Sequence, residues 1–193
     1  MMMIATPGRS GPPAAGTAGD KRGTHAPAVF VRPAGPADKR TLFHWRNDEA
    51  THAMSCHADP AAWADYQRWF LDCLNNGQRE LSLCVAAARP ALTLALARFA
   101  MSADGRRAEI ALEMQPARTE RYPGLATLQA LLVDFRRRHP RLGGMDVRVP
   151  AGDAAALTLF ELAGFITKGA TGGALVHLVM PAQVRPGGFG RLA

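Results

Sequence analysis

Two glutamates, Glu109 and Glu113, stand in an otherwise apolar stretch at residues 108–114, with Ala111 midway between them. Side chains alternate along a β-strand, so these three residues project to the same side if the stretch is extended. A carboxylate presented in this way can take a proton from a substrate, which is general-base chemistry. A solvated glutamate at a strand edge is the common alternative. We therefore treat both glutamates as candidate catalytic residues.

Side chains that could bind a substrate are concentrated between residues 42 and 63. Arg46 and Asn47 offer a guanidinium fork and an amide, which suit phosphate groups or sugar hydroxyls. Trp45 and Trp63 could stack on a sugar or a nucleobase, although an aromatic residue at helical spacing more often belongs to a core. Three histidines could act as bases at neutral pH or be ordinary surface residues: His44, His52 and His57.

The cysteines exclude two kinds of site. Cys56, Cys73 and Cys84 are an odd number, with neither C-x-x-C spacing nor a nearby histidine pair. Neither a disulfide framework nor a metal site is predicted from such a pattern. No apolar run approaches the roughly 20 residues of a membrane helix, and the N-terminus lacks the apolar core of a secretory signal. We therefore expect reduced, buried thiols in a cytoplasmic protein that binds no metal and enters no membrane.

The basic charge of the chain lies largely at its ends. Of a formal net charge of +7, residues 1–28 carry +2 and residues 181–193 carry +2, which leaves +3 for the middle. Such a mild excess suits an anionic ligand such as a nucleotide diphosphate. The basic run at 136–141 complements the C-terminal dipole of a helix, or could contact a phosphate or an acidic partner. Because no repeat of aromatic and basic residues accompanies it, we expect no nucleic-acid partner.

Hydrophobic periodicity predicts one α/β domain at residues 29–180, between disordered tails at 1–28 and 181–193. Helices are expected at 38–48, at 59–75 with Asp59 as N-cap and Pro60 at the first helical position, at 125–138, and at 153–162 with Asp153 as N-cap. The predicted strands are 29–32, 81–88, 91–101, 108–114, 146–149, 165–168 and 174–180, with a hairpin turn at Arg89-Pro90. This order indicates a mixed sheet with helices on its faces.

Three segments carry a resemblance to the GNAT (Gcn5-related N-acetyltransferase) superfamily. Residues 42–48, with Ser55 and residues 60–70, look like two helices of the ribosomal-protein-type and amino-sugar-type N-acetyltransferases, and residues 108–116 resemble the fourth strand of the family. Residues 159–165, LFELAGF, match its closing L-[YF]-E-x-x-G-F segment. The resemblance covers residues 29–180 and implies the acyl-CoA N-acyltransferase fold, a central mixed sheet with helices on both faces.

The resemblance also implies where acetyl-CoA binds as co-substrate. In the family the fourth strand separates from the fifth, the free strand edge bonds the pantetheine, and the next helix directs its N-terminus at the pyrophosphate, where helix dipoles favour anions. Carried over position by position, the implied contacts are Leu112, Met114, Arg118, Thr119, Arg121, Tyr122, Gly124, Leu125 and Asp153.

The chain departs from the family pattern at the pyrophosphate loop and at the general acid. The family loop reads R/Q-x-x-G-x-G/A, whereas Thr119, Tyr122 and Gly124 stand at the anchor positions here. Tyr122 obstructs the closest phosphate approach and Pro123 has no N–H to donate. Arg118 and Arg121 can offset this with charge-assisted bonds. Phe160 stands where relatives commonly carry a tyrosine that acts as the general acid, and phenylalanine cannot protonate the leaving thiolate.

The implied activity is transfer of acetyl from acetyl-CoA to a primary amine by direct attack in a ternary complex. Glu109, where relatives frequently carry a strand carboxylate, is the first choice for the base and Glu113 the second. The acceptor would be an amino-sugar nucleotide or a protein N-terminus, and the protein a monomer or homodimer. The alternative is a degenerate, non-catalytic GNAT-fold binding or regulatory module. The implied substrate contacts are Trp45, Arg46, Asn47 and Ser55.

Overall fold

Seven strands form a single mixed sheet in the computed structural model, which describes residues 28–48, 60–115, 124–171 and 174–182. The strand order across the sheet is β1-β2-β3-β4-β5-β7-β6. The strands are β1 (Val29–Pro33), β2 (Arg79–Ala86), β3 (Arg89–Met101), β4 (Arg107–Met114), β5 (Gly144–Pro150), β6 (Ile166–Thr171) and β7 (Leu175–Pro181).

Strands β1 to β4 form an antiparallel meander. The predicted hairpin turn at Arg89-Pro90 is wrong, because Arg89 already pairs with Ala86 and the turn falls at residues 87–88. Pro90 lies instead within β3, where an irregular register carries the pairing from Ala86↔Arg89 to Val85↔Thr93. A proline cannot donate to the ladder, and a bulge near a strand end is where a sheet tolerates one.

Strands β4 and β5 are parallel neighbours, both described over their full lengths, and they pair over three residues alone, Arg107↔Gly144 to Glu109↔Asp146. Beyond that point β4 continues beside β3 to Met114. β5 continues beside β7 to Pro150. The sheet therefore opens into a cleft between β4 and β5, as the resemblance implies.

The C-terminal strands complete the sheet as two antiparallel ladders, with β7 lying between β5 and β6. The register of β6 shifts between Thr167 and Gly169, and Gly169 has φ +145. A residue with a side chain rarely adopts such a backbone conformation, so glycine accommodates the bulge at this point. β7 ends at Pro181, one residue past the predicted end of the domain.

Four α-helices lie in the described ranges: α1 (Lys39–Arg46), α2 (Trp63–Asn75), α3 (Gly124–Arg138) and α4 (Ala154–Leu162). α1 and α2 pack on one face of the sheet, where Leu42, Tyr66 and Phe70 form a core with Leu83 and Leu96. α3 and α4 pack on the opposite face, in a second core that contains Leu128, Leu131, Phe135 and Phe160. None of these described helices is long and apolar enough to cross a membrane.

Helix α2 begins later than the sequence predicts. Asp59 lies outside the described residues, and Pro60, Ala61 and Ala62 are not helical, Ala62 being extended at φ −69 and ψ 143. The cause is Asn47, whose side-chain amide donates to the Ala61 carbonyl (3.0 Å) and accepts from the Ala61 N–H (2.9 Å). Because both backbone groups of Ala61 are bonded in this way, the chain enters the helix at Trp63.

The two ends of the α3–α4 layer are fixed by polar contacts. At the C-terminus of α3, Arg138 and His139 both bind Glu80 of β2, and the His139 Nε2 lies 2.6 Å from its carboxylate. The basic run at 136–141 is therefore in part a structural anchor. At the N-terminus of α4, the Asp153 carboxylate accepts from the Ala156 N–H at 2.9 Å, which confirms the predicted N-cap.

Candidate active site

The cleft between β4 and β5 is bounded by the first turn of α3. A methyl group placed on Gly124 would lie 3.8 Å from Met114 Cε and 3.7 Å from Leu159 Cδ1, which is ordinary van der Waals contact. The N-terminus of α3 therefore lies beside the free end of β4 and beside α4. Helix N-termini present unpaired N–H groups and a positive dipole end, both of which favour an anion. The same contacts show that Gly124 is not required by packing.

Alternation along β4 divides its side chains between the two faces of the sheet. Ala108 and Ile110 are buried in the core beneath α3, and Leu112 and Met114 pack against the same core. Glu109, Ala111 and Glu113 consequently lie on the opposite face, as the spacing predicts. Among the described residues, the backbone edge of residues 110–114 that faces β5 has no strand partner.

Glu109 occupies the last position at which β4 and β5 pair, where the cleft begins. Its Oε1 accepts a hydrogen bond from Arg148 Nη1 of β5 at 2.9 Å. The two side chains are 43% and 53% exposed, so the pair is open to solvent and to a ligand in the cleft. Arg148 thus orients the Glu109 carboxylate without burying it.

Glu113 is more enclosed than Glu109. Its Oε1 lies 3.1 Å from Arg98 Nη2 of β3, and its side chain is 15% exposed. Arg98 in turn lies over the ring of Trp69, with its Cζ 5.7 Å from the ring centroid, which is cation–π geometry. Burial, followed by the nearby Glu113 carboxylate, raises the pKa of the Tyr66 phenol, which therefore stays neutral.

A surface pocket of about 250 Å³ lies between α1, α2 and β3, beside this group. The register places Arg98 opposite Ala111 of β4, so the pocket adjoins the part of β4 that has no β5 partner. Of the six residues that line this pocket, sequence reasoning identified Arg46 alone as a candidate. Two features of the sequence could have indicated the pocket. One is the i, i+3 pair Tyr66 and Trp69 on α2, and the other is Arg98, the one charged residue inside the apolar run of β3. The pocket is lined by Arg46, Ala61, Asp65, Tyr66, Trp69 and Arg98.

The other predicted substrate residues are dispersed. Asn47 is occupied by the Ala61 backbone, Trp45 packs against the core beneath α1 and α2, and Ser55 lies outside the described residues. Trp63 is 38% exposed and contacts Phe43 edge-on with ring centroids 4.9 Å apart. Of the histidines, His52 and His57 lie outside the described residues. His44 lines a separate surface pocket of about 290 Å³ with Arg40, Phe43 and Trp63.

The predicted acetyl-CoA contacts are only partly covered by the structure. Arg118, Thr119, Arg121 and Tyr122 lie outside the described residues. Met114 and Gly124 lie close together at the cleft, and Leu112 packs against the same core as Met114. The Asp153 carboxylate is used as the cap of α4. Phe160 is buried, 3% exposed, and contacts Phe165 edge-on at 5.2 Å. Across the described ranges, no group of three or more His, Cys, Asp or Glu side chains could hold a metal ion.

Comparisons with known proteins bear on the fold. No family model and no curated protein sequence matches the chain. Among solved structures, it is similar to a spermidine N-acetyltransferase from Vibrio cholerae in complex with CoA and spermine, at TM-score 0.69 and 12% identity over 79% of this chain and 95% of that one. It is also similar to the aminoglycoside acetyltransferase AAC(6')-Ib in complex with coenzyme A, at TM-score 0.68 and 17% identity over 81% and 96%.

Proposed function

We propose that this chain, which has the GNAT acyl-CoA N-acyltransferase fold, transfers the acetyl group of acetyl-CoA to a primary amine by direct attack in a ternary complex. The observation that carries the proposal is the separation of β4 from β5 after three residue pairs, beside the N-terminus of α3. Unpaired backbone groups on a strand edge require partners, and the amide groups of a pantetheine arm can supply them.

The chain offers a position for each part of acetyl-CoA. Backbone groups of residues 112–114 would bond the pantetheine and polarise the thioester carbonyl, as donors do in an oxyanion hole. The first turn of α3, at Gly124 and Leu125, would take the pyrophosphate. Arg118 and Arg121, in the segment just before α3, would supplement it with charge-assisted bonds. No metal is required for any of these contacts.

Glu109 is proposed as the general base, with Glu113 as second candidate. The ammonium of the acceptor gives a proton to the Glu109 carboxylate, directly or through water. The neutral nitrogen then forms a bond to the thioester carbon while the carbon–sulfur bond breaks and CoA leaves as thiolate. Phe160 has no hydroxyl and is buried, so we propose that water relays to the thiolate the second proton, which the nitrogen loses as it becomes the amide.

The acceptor class rests on resemblance. The solved neighbours are by name acetyltransferases of spermidine and of aminoglycosides, and a small-molecule amine is accordingly proposed here. Within that class an amino-sugar nucleotide is our first candidate, and the alternative outside it is a protein N-terminus. We propose a cytoplasmic protein that acts as a monomer or homodimer.

Titration calorimetry with acetyl-CoA tests the proposal first. Saturable binding at micromolar to submillimolar ligand is expected, the usual range for enzyme substrates. The absence of binding at millimolar acetyl-CoA would overturn the proposal in favour of a non-catalytic module. If acetyl-CoA binds, release of free thiol is measured against a panel of amines, and acceptor-dependent release identifies the enzyme.

A further inference from the structure

The pocket between α1, α2 and β3 is lined by two arginines, Arg46 and Arg98, and by one carboxylate, Asp65. A second carboxylate, Glu113, lies beside the pocket, and the ion pairs of both carboxylates decide the charge of this region. Asp65 lies 3.7 Å from Arg68 on the same helix, and both side chains are more than 70% exposed. Glu113 is paired with Arg98 at 3.1 Å. The two carboxylates of this region therefore already have cationic partners.

Arg46 is the second arginine that lines the pocket. It is half-buried at the C-terminal end of α1. In the part of the chain that the structure describes, no carboxylate lies within 4.0 Å of its guanidinium. Arg46 is one of the basic residues in the last turn of α1, where the helix dipole favours a cation. A guanidinium placed there without a carboxylate partner among the described residues can take the anionic group of a ligand.

Arg98 adds a second set of donors to the same pocket. Glu113 uses its Nη2, and the Trp69 ring lies beneath its guanidinium. Its Nε is buried without a hydrogen-bond partner among the described residues. The guanidinium is a planar fork of donors, which suits the two oxygens of a carboxylate or phosphate.

The position of the pocket determines which part of an acceptor would enter it. Arg98 is the cross-strand neighbour of Ala111, so a molecule bound against Arg98 lies next to the free part of β4. Its amine could then face Glu109 or the thioester, while its other end remains beside Arg46. A volume of about 250 Å³ is small for a ligand site and suits an amino acid or a single sugar better than an aminoglycoside of several rings.

We propose that the acceptor of this transferase carries an anionic oxygen group, a carboxylate or a phosphate, within a few bonds of its amine, and that Arg46 and Arg98 bind that group. The inference rests on the proposed function and deepens it. It separates this chain from its solved neighbours, which by name act on spermidine and aminoglycosides, both rich in positive charge.

Matched pairs of amines that differ in the anion alone provide the test. Thiol release is measured with phenylalanine against phenylalaninamide, with glucosamine 6-phosphate against glucosamine, and with spermidine. The anion-bearing member of at least one pair should have kcat/KM higher by about tenfold or more, the effect of a charge-assisted hydrogen bond. The pair that responds distinguishes carboxylate from phosphate. Equal rates within both pairs, or a preference for spermidine, would overturn the inference while leaving the transferase intact.

Variants of Arg46 add a readout that a structural role would not change. Arg46→Gln should raise KM for the anion-bearing acceptor about tenfold or more and raise it much less for the uncharged partner, so that the ratio of the two kcat/KM values falls toward one. Arg46→Lys should restore part of the preference, because it keeps the charge without the fork. Arg40→Gln is the matched control, since Arg40 lies on the same helix but lines the other pocket. An equal loss with both members of a pair would contradict the assignment.

Direct binding keeps the inference testable if no turnover is found. Calorimetry of the full chain with the same amine pairs, without acetyl-CoA, should show binding of an anion-bearing member and weaker binding of its uncharged partner. That difference should disappear in Arg46→Gln. Equal affinities within the pairs, or no binding of any member at millimolar concentration, would refute the anion site independently of the proposed function.

Discussion

Replacing Glu109 by glutamine separates a catalytic role for this residue from a structural one. The amide is of nearly the same size and keeps an oxygen that can accept from Arg148 Nη1, which now donates at 2.9 Å. What the substitution removes is the negative charge and the ability to hold a proton from the acceptor. The two roles predict effects of very different sizes.

The structural effect follows from exposure. Since the Glu109 and Arg148 side chains are 43% and 53% exposed, their ion pair is worth about 0.2–1 kcal/mol. In a chain of this length 1 kcal/mol corresponds to roughly 2–4 °C in Tm, so Glu109→Gln should lower the Tm by no more than that. Loss of a general base instead lowers kcat by about 10²–10⁴.

The assay is thiol release from acetyl-CoA at saturating acceptor, combined with a thermal melt of the same preparation. Asp72→Asn is the matched control, because Asp72 and Arg79 form an ion pair of similar length (2.9 Å) and similar exposure on α2 and β2. It should give the same small Tm change and wild-type kcat. If kcat of Glu109→Gln also equals that of the wild type, or if Glu113→Gln alone abolishes turnover, then Glu109 is not the base.

Two further predictions concern stability and thiol reactivity. The Arg32 fork, at 2.8 and 2.7 Å, and the Gly35 N–H lower the pKa of Asp38; Asp38→Asn should therefore cost about 1.5–3 kcal/mol in urea unfolding at neutral pH. A carboxyl whose pKa is lower in the folded than in the unfolded chain stabilises the fold fully only above its unfolded-state pKa. The cost of Asp38→Asn should therefore shrink as the pH falls below about 4. A cost that does not change with pH would contradict this prediction. Burial raises the pKa of Cys84 to about 11, so iodoacetamide at about pH 8 should modify it only on unfolding; rapid labelling of the native protein, detected by mass spectrometry, would refute its burial.

Most of the fold could be read from periodicity and capping. The stripe of Leu128, Leu131, Leu132 and Phe135 is buried as predicted, and Asp153 caps α4. Both features depend on residues within one or two helical turns of each other. The seven strands were likewise predicted in order, because turn residues and apolar runs alternate along the chain.

The errors arose where a distant or non-local contact overrides local preference. Pro60 predicts a helix start, yet the Asn47 side chain bonds both backbone groups of Ala61 from fourteen residues away, and the next residue, Ala62, is extended. Pro90 predicts a turn, yet a shift in register absorbs it within β3. Neither contact has a signature in the sequence around the residue it affects.

The pocket was harder to predict than the fold. Tyr66 and Trp69 have the spacing of a core stripe, and Tyr66 is indeed buried. Only the packing of α2 against β3 shows that Trp69 faces Arg98, since 29 positions of sequence separate them. The two cysteines within the described residues, Cys73 and Cys84, are buried and free as expected, whereas Cys56 lies outside them.

The short junction between β4 and β5 also affects how the molecule holds together. In the sheet, the meander β1–β4 meets the strands β5–β7 through three residue pairs, with α3 packed across both in one core. Units joined so narrowly can open locally at a lower free energy than global unfolding. A molecule that bonds the free edge of β4 and rests on α3 would bridge those two units, so that its concentration would govern their cohesion by mass action.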